Sequence, residues 1–375
     1  MKTPVCQMFG IEFPIFAFTH CRDVVAAVSK AGGLGVLGAT AHSPEQLEID
    51  LGWIEDEVGD APYGVDLLLP QKYVGAEAGG FERGALKELI PQEHRDFLDG
   101  MMSRYDVPPL VELPAEMRGR SLGVSEADYL PLIDIAFHYK TKLLVSALGP
   151  PPAWLVKDAH ERNVLVAALA GKVEHAVRHK NAGADIIIAQ GSEAGGHTGQ
   201  ISTMVLVPEV VEAVAPVPVL AAGGIGTGRQ VAASFALGAA GVWCGSVWLT
   251  TEEAETHPVV KQKYVAAGSS DTVRSRSLTG KPARQLRTAW TDEWDRPDTP
   301  DPLGMPLQSI LTGPYLARIN GAAHQEGSGA HTLINYAVGQ IVGQMNQVKP
   351  AKQVVYELID ELIDAAETMQ KVMEA

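Results

Sequence analysis

Ala184-Asp185-Ile186-Ile187-Ile188-Ala189-Gln190-Gly191-Ser192-Glu193-Ala194-Gly195-Gly196-His197-Thr198-Gly199 decides the architecture. Its first half is a short apolar run rich in isoleucine, the pattern of a strand buried on both faces in a parallel sheet. Its second half is poor packing material, because four glycines and a histidine follow where the strand stops. Glycines let backbone approach a flat or phosphorylated ligand and adopt positive φ. A histidine at the strand mouth can move a proton near neutral pH. A buried parallel strand with its chemistry at the C-terminal end is the repeating unit of an α/β fold.

Working outward, strand-like runs at 14–18, 35–38, 63–69, 142–146, 164–168, 186–188, 217–222 and 241–244 alternate with helix-like segments. One helix spans 23–31; another opens at Ser43 as N-cap with Pro44 in the first turn. Eight such units predict a TIM (β/α)8 barrel. A doubly wound sheet is the weaker alternative, because no GxGxxG follows the first strand and too many units run in series. Two stretches break the repeat. Residues 70–125 form an overlong connection with a glycine-rich part at 75–84 and a helix-like piece at 91–105; residues 251–331 form a second excursion. Within the latter, 290–306 is rich in Asp, Pro and Trp and reads as an irregular cover, and helices from Ala337 and from Pro350 close the chain. The expected layout is a barrel of residues 1–250 and 332–375, with the insertion at 70–125, and a cover or substrate subdomain at 251–331. Both excursions fall on βα loops, hence on the C-terminal face where barrel active sites sit.

The 375 residues are 46% hydrophobic and 20% charged, enough for a sizeable core. A net charge of −15 argues against a nucleic-acid partner. Three cysteines, Cys6, Cys21 and Cys244, cannot build a disulfide framework and fit a reducing compartment. Residues 1–4 lack an apolar leader pattern, and Gly, Pro or charge breaks every apolar run before about 18 residues. The expectation is therefore a cytoplasmic protein with no membrane span.

Gly223-Gly224-Ile225-Gly226-Thr227-Gly228 follows the seventh strand and Gly245-Ser246 the eighth. Glycine loops in this order predict a phosphate cup of backbone N–H groups beside a helix N-terminus; tight βα turns without a ligand are the plainer reading. His20 ends the first strand, either as a pocket group or as a structural histidine. His175 and His179 stand four apart on a helix, a spacing that can hold a metal, but no third ligand is apparent and a solvated helix face is the expectation. His257, before Pro258, reads as structural, and Cys244 as buried and inert. Arg274, Arg276, Lys281, Arg284 and Arg287 form a basic run that could receive phosphates or, more simply, pack the cover onto the barrel. Trp290 and Trp294 either cap the pocket or pack the cover.

With these motifs placed, the chain resembles the nitronate monooxygenase family, formerly 2-nitropropane dioxygenases. These are FMN-dependent TIM barrels, in a superfamily that includes the flavin enoyl-[acyl-carrier-protein] reductases. The matching pieces are 27–35, 63–67, 189–199, 221–226, 271–273 with 279–284, and Gly339-Gln340. By this resemblance His197 is the catalytic base near the flavin. Gln190, Gly195 and Gly196 line its ring and ribityl chain, Gly223, Gly224, Gly245 and Ser246 hold its phosphate, and Gln340 belongs to the same cofactor set. Ala17-Phe18-Thr19, followed by His20, replaces the family's usual Ala-Pro-Met. Asp66 replaces an Asn, and an Asp cannot donate as an amide does unless it is protonated. Lys172 replaces a small hydroxyl residue; its cation can stabilise charge on reduced flavin or pair with Asp66. These positions remain expected cofactor neighbours, with His20 and His197 facing substrate.

The activity implied is oxidation of alkyl nitronates and nitroalkanes by O2 to carbonyl compounds and nitrite. One rival is an NAD(P)H-dependent FMN reductase of enoyl or other acyl thioesters, favoured by the long insertion and the basic run. Others are a non-catalytic flavin-binding barrel and, more remotely, a flavin-free barrel that binds a sugar phosphate. Expected partners are a small-molecule substrate and O2 or NAD(P)H, without nucleic acid, membrane or metal; a homodimer is a candidate assembly.

Overall fold

The computed structural model of the protein describes residues 1–69, 83–109 and 126–374. Its strands are Ile15–Thr19 (β1), Leu34–Gly38 (β2), Tyr63–Leu68 (β3), Leu143–Ala147 (β4), Leu165–Ala170 (β5), Ile186–Gln190 (β6), Gly196–His197 (β7), Val219–Ala222 (β8), Gly241–Cys244 (β9), Thr272–Ser275 (β10) and Ala283–Leu286 (β11). Eight of them close a parallel barrel in the order β1-β2-β3-β4-β5-β6-β8-β9, with β9 returning to β1 through Ala17↔Cys244. Each of the eight runs expected from the sequence coincides with one of these strands.

Side-chain alternation sorts the barrel into two packed faces. Phe16, Leu34, Val36, Leu143, Val145, Ala167, Ile186, Ile188, Leu220, Ala222 and Trp243 fill the interior as one cluster. The opposite parity, including Ile15, Ala17, Ile187, Ala189, Val219, Ala221 and Val242, packs against the helices. Val5, Cys6 and Phe9 of the helix Pro4–Phe9 join the interior cluster, and Phe9 meets Phe16 edge-on at 5.5 Å. That helix therefore plugs the barrel's N-terminal end and leaves chemistry to the other. Helix starts follow local chemistry. Ser43 Oγ accepts from Gln46 N at 3.2 Å to cap Pro44–Val58, and Thr227 with Gln230 forms a capping box on Gly228–Ala236.

In both excursions the described residues form elements outside the barrel repeat. The helix-like piece at 91–105 is the helix Gln92–Arg104, with Pro91 as its N-cap. The glycine-rich part at 75–82 and the rest of 70–82 and 110–125 lie outside the described residues. In the second excursion β10 and β11 form an antiparallel hairpin, and β11 pairs with β7 to make a three-stranded sheet. Residues 290–306 do not begin irregularly: the helix Ala289–Trp294 buries Trp290 and Trp294, which pack the cover. Trp290, Leu311 and Ile319 share one hydrophobic cluster with Ile187 and Val219 of the barrel. The helix expected from Ala337 is only the 3-10 turn Gln340–Gln344. Ala337 instead bridges Gln285, and Gly339 is extended (φ −81°, ψ 171°), so the chain turns helical only after it. The final helix, Ala351–Glu374, packs on Arg22–Lys30 and Gly228–Ala236. Among the described residues no helix is long and apolar enough to cross a membrane.

Candidate active site

The inward parity decides which side chains reach the C-terminal mouth. Phe18, Gly38, Asp66 and Gln190 share the parity of interior residues on β1, β2, β3 and β6. Ala17 has the opposite parity and packs among the helices, fully buried, so only its backbone is near the mouth. Phe18 stacks on Trp243 at 5.8 Å. Thr19 Oγ1 accepts from Cys21 N at 3.1 Å and turns the chain out of the strand. His20 is exposed, and its Nδ1 lies 2.7 Å from Gly38 O. Gly38 makes that possible, because a Cβ there would fall 2.7 Å from the His20 ring.

Asp66 is opposite Gly38 in register and 3% exposed. Burial raises its carboxyl well above the usual carboxylate range, which favours the protonated form, the one that can donate as an amide would. Lys172 does not pair with it. That ammonium is 4.0 Å from Glu174 and half-exposed, since Lys172 sits at the N-cap of the solvent-facing helix Val173–Asn181.

The two glycine loops lie side by side because β8 and β9 are neighbours with Ala222 opposite Trp243. Gly223 has φ +99°, and a Cβ would come 3.1 Å from Gly191 O and Ala194 N, so only glycine brings the two loops this close. Among the described residues, none accepts a turn or loop hydrogen bond from the N–H of Gly223, Gly224, Gly245 or Ser246. Half-buried backbone donors grouped in this way can bind an anion. Ser246 Oγ accepts from Gly339 N at 2.8 Å, and Gln340 N donates to Glu193 O at 2.9 Å. The 339–340 strap thus ties the β9 loop to the loop carrying His197. Glu193 is itself locked: its carboxylate accepts from Thr203 N at 3.0 Å and Thr203 Oγ1 at 3.1 Å.

His197 lies on β7, where its backbone pairs with Ala283 of β11. Its Nε2 is 2.7 Å from Thr279 Oγ1. Burial, with the nearby Lys281 charge, lowers its pKa to about 4, so the imidazole is neutral at physiological pH. A neutral imidazole can act as a proton acceptor.

The remaining candidates resolve into structural roles. Arg274 donates to Thr198 O (3.2 Å), Arg276 to Gly280 O (3.0 Å), Arg284 to Ser192 O (2.9 Å) and Arg287 to Asp292 (2.8 Å). The first three bonds hold the cover together or join it to the 192–198 loop. His179 is not on a solvated face: it is 3% exposed and its Nε2 bonds Leu169 O at 2.9 Å. His257 Nδ1 accepts from Val259 N at 3.2 Å as a helix cap. Cys244 is buried, its thiol pushed up to about 12. Among the described residues, Cys21, Asp23 and Glu255 gather three ligand atoms, but burial raises the Cys21 thiol, which donates to Glu253 O. Sequence reasoning gave no role to Thr279, Thr203, Glu193 or Gly339. Only the Thr-Gly-Lys turn and the Gly339-Gln340 pair stood out, as pieces of a resemblance.

The molecule is thus a (β/α)8 barrel with a buried neutral histidine and two adjacent glycine loops at its C-terminal mouth. The chain belongs to the nitronate monooxygenase family, whose model matches residues 2–361. A Mycobacterium tuberculosis protein provisionally named a monooxygenase is 61% identical over 370 residues, 99% of each chain. A Staphylococcus saprophyticus protein provisionally named nitronate monooxygenase is 31% identical over 328 residues, covering 83% of this chain and 86% of the relative. The solved structure of nitroalkane oxidase from Streptomyces ansochromogenes superposes with a TM-score of 0.78 at 26% identity, covering 97% of this chain and 99% of that one. This is an enzyme of the oxidoreductase class, and its family implies a flavin cofactor.

Proposed function

We propose that the protein is an FMN-dependent nitronate monooxygenase converting alkyl nitronates and nitroalkanes, with O2, to carbonyl compounds and nitrite. The observation that carries this reading is His197, neutral and fixed on the loop that borders the anion cup. The residues present also fit FMN. The unclaimed N–H groups of Gly223, Gly224, Gly245 and Ser246 suit its phosphate. Gln190, Gly195 and Gly196 would border the ring and ribityl chain. Phe18, Thr19, the buried Asp66, Gln340 and the Ala17 backbone would complete the surround, with Lys172 at its rim. Bound flavin supplies the electron chemistry that links substrate to dioxygen.

The chain's own contribution is a proton acceptor and a positioned pocket. A neutral nitroalkane gives up its α-proton slowly, and a positioned base contributes about 10²–10⁴-fold. His197 meets that need, while a preformed nitronate does not require it. The tied-down arginines weaken the acyl-thioester reductase alternative, because a bulky anionic substrate would have to displace bonds that secure the cover. Three buried free cysteines are consistent with a reducing, cytoplasmic setting.

The test is anaerobic mixing of the purified yellow holoprotein with propyl nitronate, NADPH and NADH in separate runs. Bleaching by nitronate alone, with nitrite formed once air is admitted, is expected; bleaching by a nicotinamide alone would move the enzyme to the reductases. His197→Asn is expected to abolish nitroalkane turnover and keep the flavin. Loss of flavin together with activity would instead make His197 structural.

A further inference from the structure

We infer that Thr279 is a positioning residue, whose hydroxyl engages Nε2 of His197 and thereby leaves Nδ1 as the ring nitrogen that takes the substrate proton. The inference rests on His197 being the base. Thr279 Oγ1 is 2.7 Å from Nε2 and 3.4 Å from both the N–H and the carbonyl oxygen of Lys281. A hydroxyl has one proton and two acceptor sites. One arrangement gives every group around it a partner within the protein. Nε2–H donates to Oγ1, Lys281 N–H donates to its second lone pair, and the hydroxyl proton goes to Lys281 O. The ring is then the Nε2–H tautomer, and Nδ1 is the bare acceptor that a base requires.

The proton step balances without a co-reactant. The substrate's α-C–H bond breaks, its electron pair stays on the organic fragment and spreads onto the nitro oxygens, and the proton goes to Nδ1. The Nε2–H···Oγ1 bond persists in the resulting imidazolium, so no ring rearrangement is needed.

Both partners are held by backbone rather than by chance contact. His197 is fixed by pairing with Ala283, four residues beyond Thr279 on the same hairpin. The intervening turn is fixed at Gly280, whose φ is +84°, whose N–H donates to Arg276 O at 2.8 Å, and whose carbonyl accepts from Arg276 Nε at 3.0 Å. A Cβ on Gly280 would collide with Leu303 O, so the cover packs directly onto this turn. Leu278 O, just before Thr279, accepts from Thr312 Oγ1 at 2.9 Å.

The test compares turnover of neutral nitroethane with turnover of preformed ethyl nitronate by the holoenzyme, since only the former needs a base. Thr279→Val keeps the shape and removes the hydroxyl. The ratio of nitroethane to nitronate turnover is expected to fall by at least about tenfold, and Thr279→Ser to restore it. In the ¹⁵N spectrum of histidine-labelled holoprotein, His197 is expected to show the Nε2–H pattern in the wild type and to lose it in Thr279→Val. Equal loss on both substrates, an unchanged ¹⁵N pattern, or failure of serine to restore the ratio would overturn the inference. His197→Asn separates its failure from that of the base assignment. If that variant keeps the wild-type ratio, the base assignment falls, whatever the ring's ¹⁵N pattern shows for Thr279.

Discussion

Asp66 carries its unusual state because of parity. It stands on the inward side of β3, where Gly38 opposite leaves space but supplies no charge. Burial raises its folded value, so the penalty is absent below the unfolded value near 3.9. It grows as pH rises from there toward the folded value, because the unfolded chain ionises while the folded one does not. Asp66→Asn is therefore expected to stabilise the protein by roughly 1–3 kcal/mol at pH 8, and by less at pH 5, with flavin retained. Thermal unfolding at the two pH values checks this; an advantage that shrinks with rising pH would mean that Asp66 is ionised when folded. The sequence exposed the departure from Asn but not the raised carboxyl, which follows from burial.

At the scale of elements, the eight barrel strands were legible because a strand buried on both faces reads as a continuous apolar run. β7 was not, since Gly196 and His197 have no periodicity of their own and become a strand only where β11 offers its edge. His179 misled for a related reason. Its helical spacing suits a surface, yet the helix turns it inward to Leu169 O. The crossing of Gly228–Ala236 with Ala351–Glu374 depends likewise on one position. Gly228 N donates to Glu361 Oε2 at 2.8 Å, and a Cβ on Gly228 would collide with Leu358 O and Leu362 N. Alanine ordinarily improves a helix by about 1 kcal/mol over glycine. Here overpacking reverses the sign, and Gly228→Ala is expected to lower unfolding free energy by about 1–3 kcal/mol. A urea midpoint unchanged or raised would show that the helices do not meet so closely.

At the scale of the molecule, that last helix does two different things along its length. Ala351, Val355, Leu358, Ile359 and Leu362 are buried against the barrel, whereas Met369, Val372 and Met373 are 47%, 74% and 80% exposed. Removing residues 366–375 is expected to shift the urea midpoint by less than about 1 kcal/mol equivalent. Removing 351–375 takes away four large buried side chains at about 1.5–3 kcal/mol each, comparable with a typical total stability of about 5–15 kcal/mol. Loss of cooperative unfolding is the expected result for the longer truncation; an intact transition would show that the barrel closes without this helix.

Local sequence fixed in advance the order of the βα units, the glycine loops after the last two barrel strands and the histidine at the mouth of a strand. Those features are local: burial writes itself into composition, and in a parallel barrel chain order dictates which strand ends meet. Folding in three dimensions was needed to show that burial raises the Asp66 carboxyl, that Lys172 faces Glu174, that the arginines secure the cover and that Thr279 reaches His197. Each of these depends on desolvation or on side-chain distances that only the folded chain defines, and neither is written in local composition.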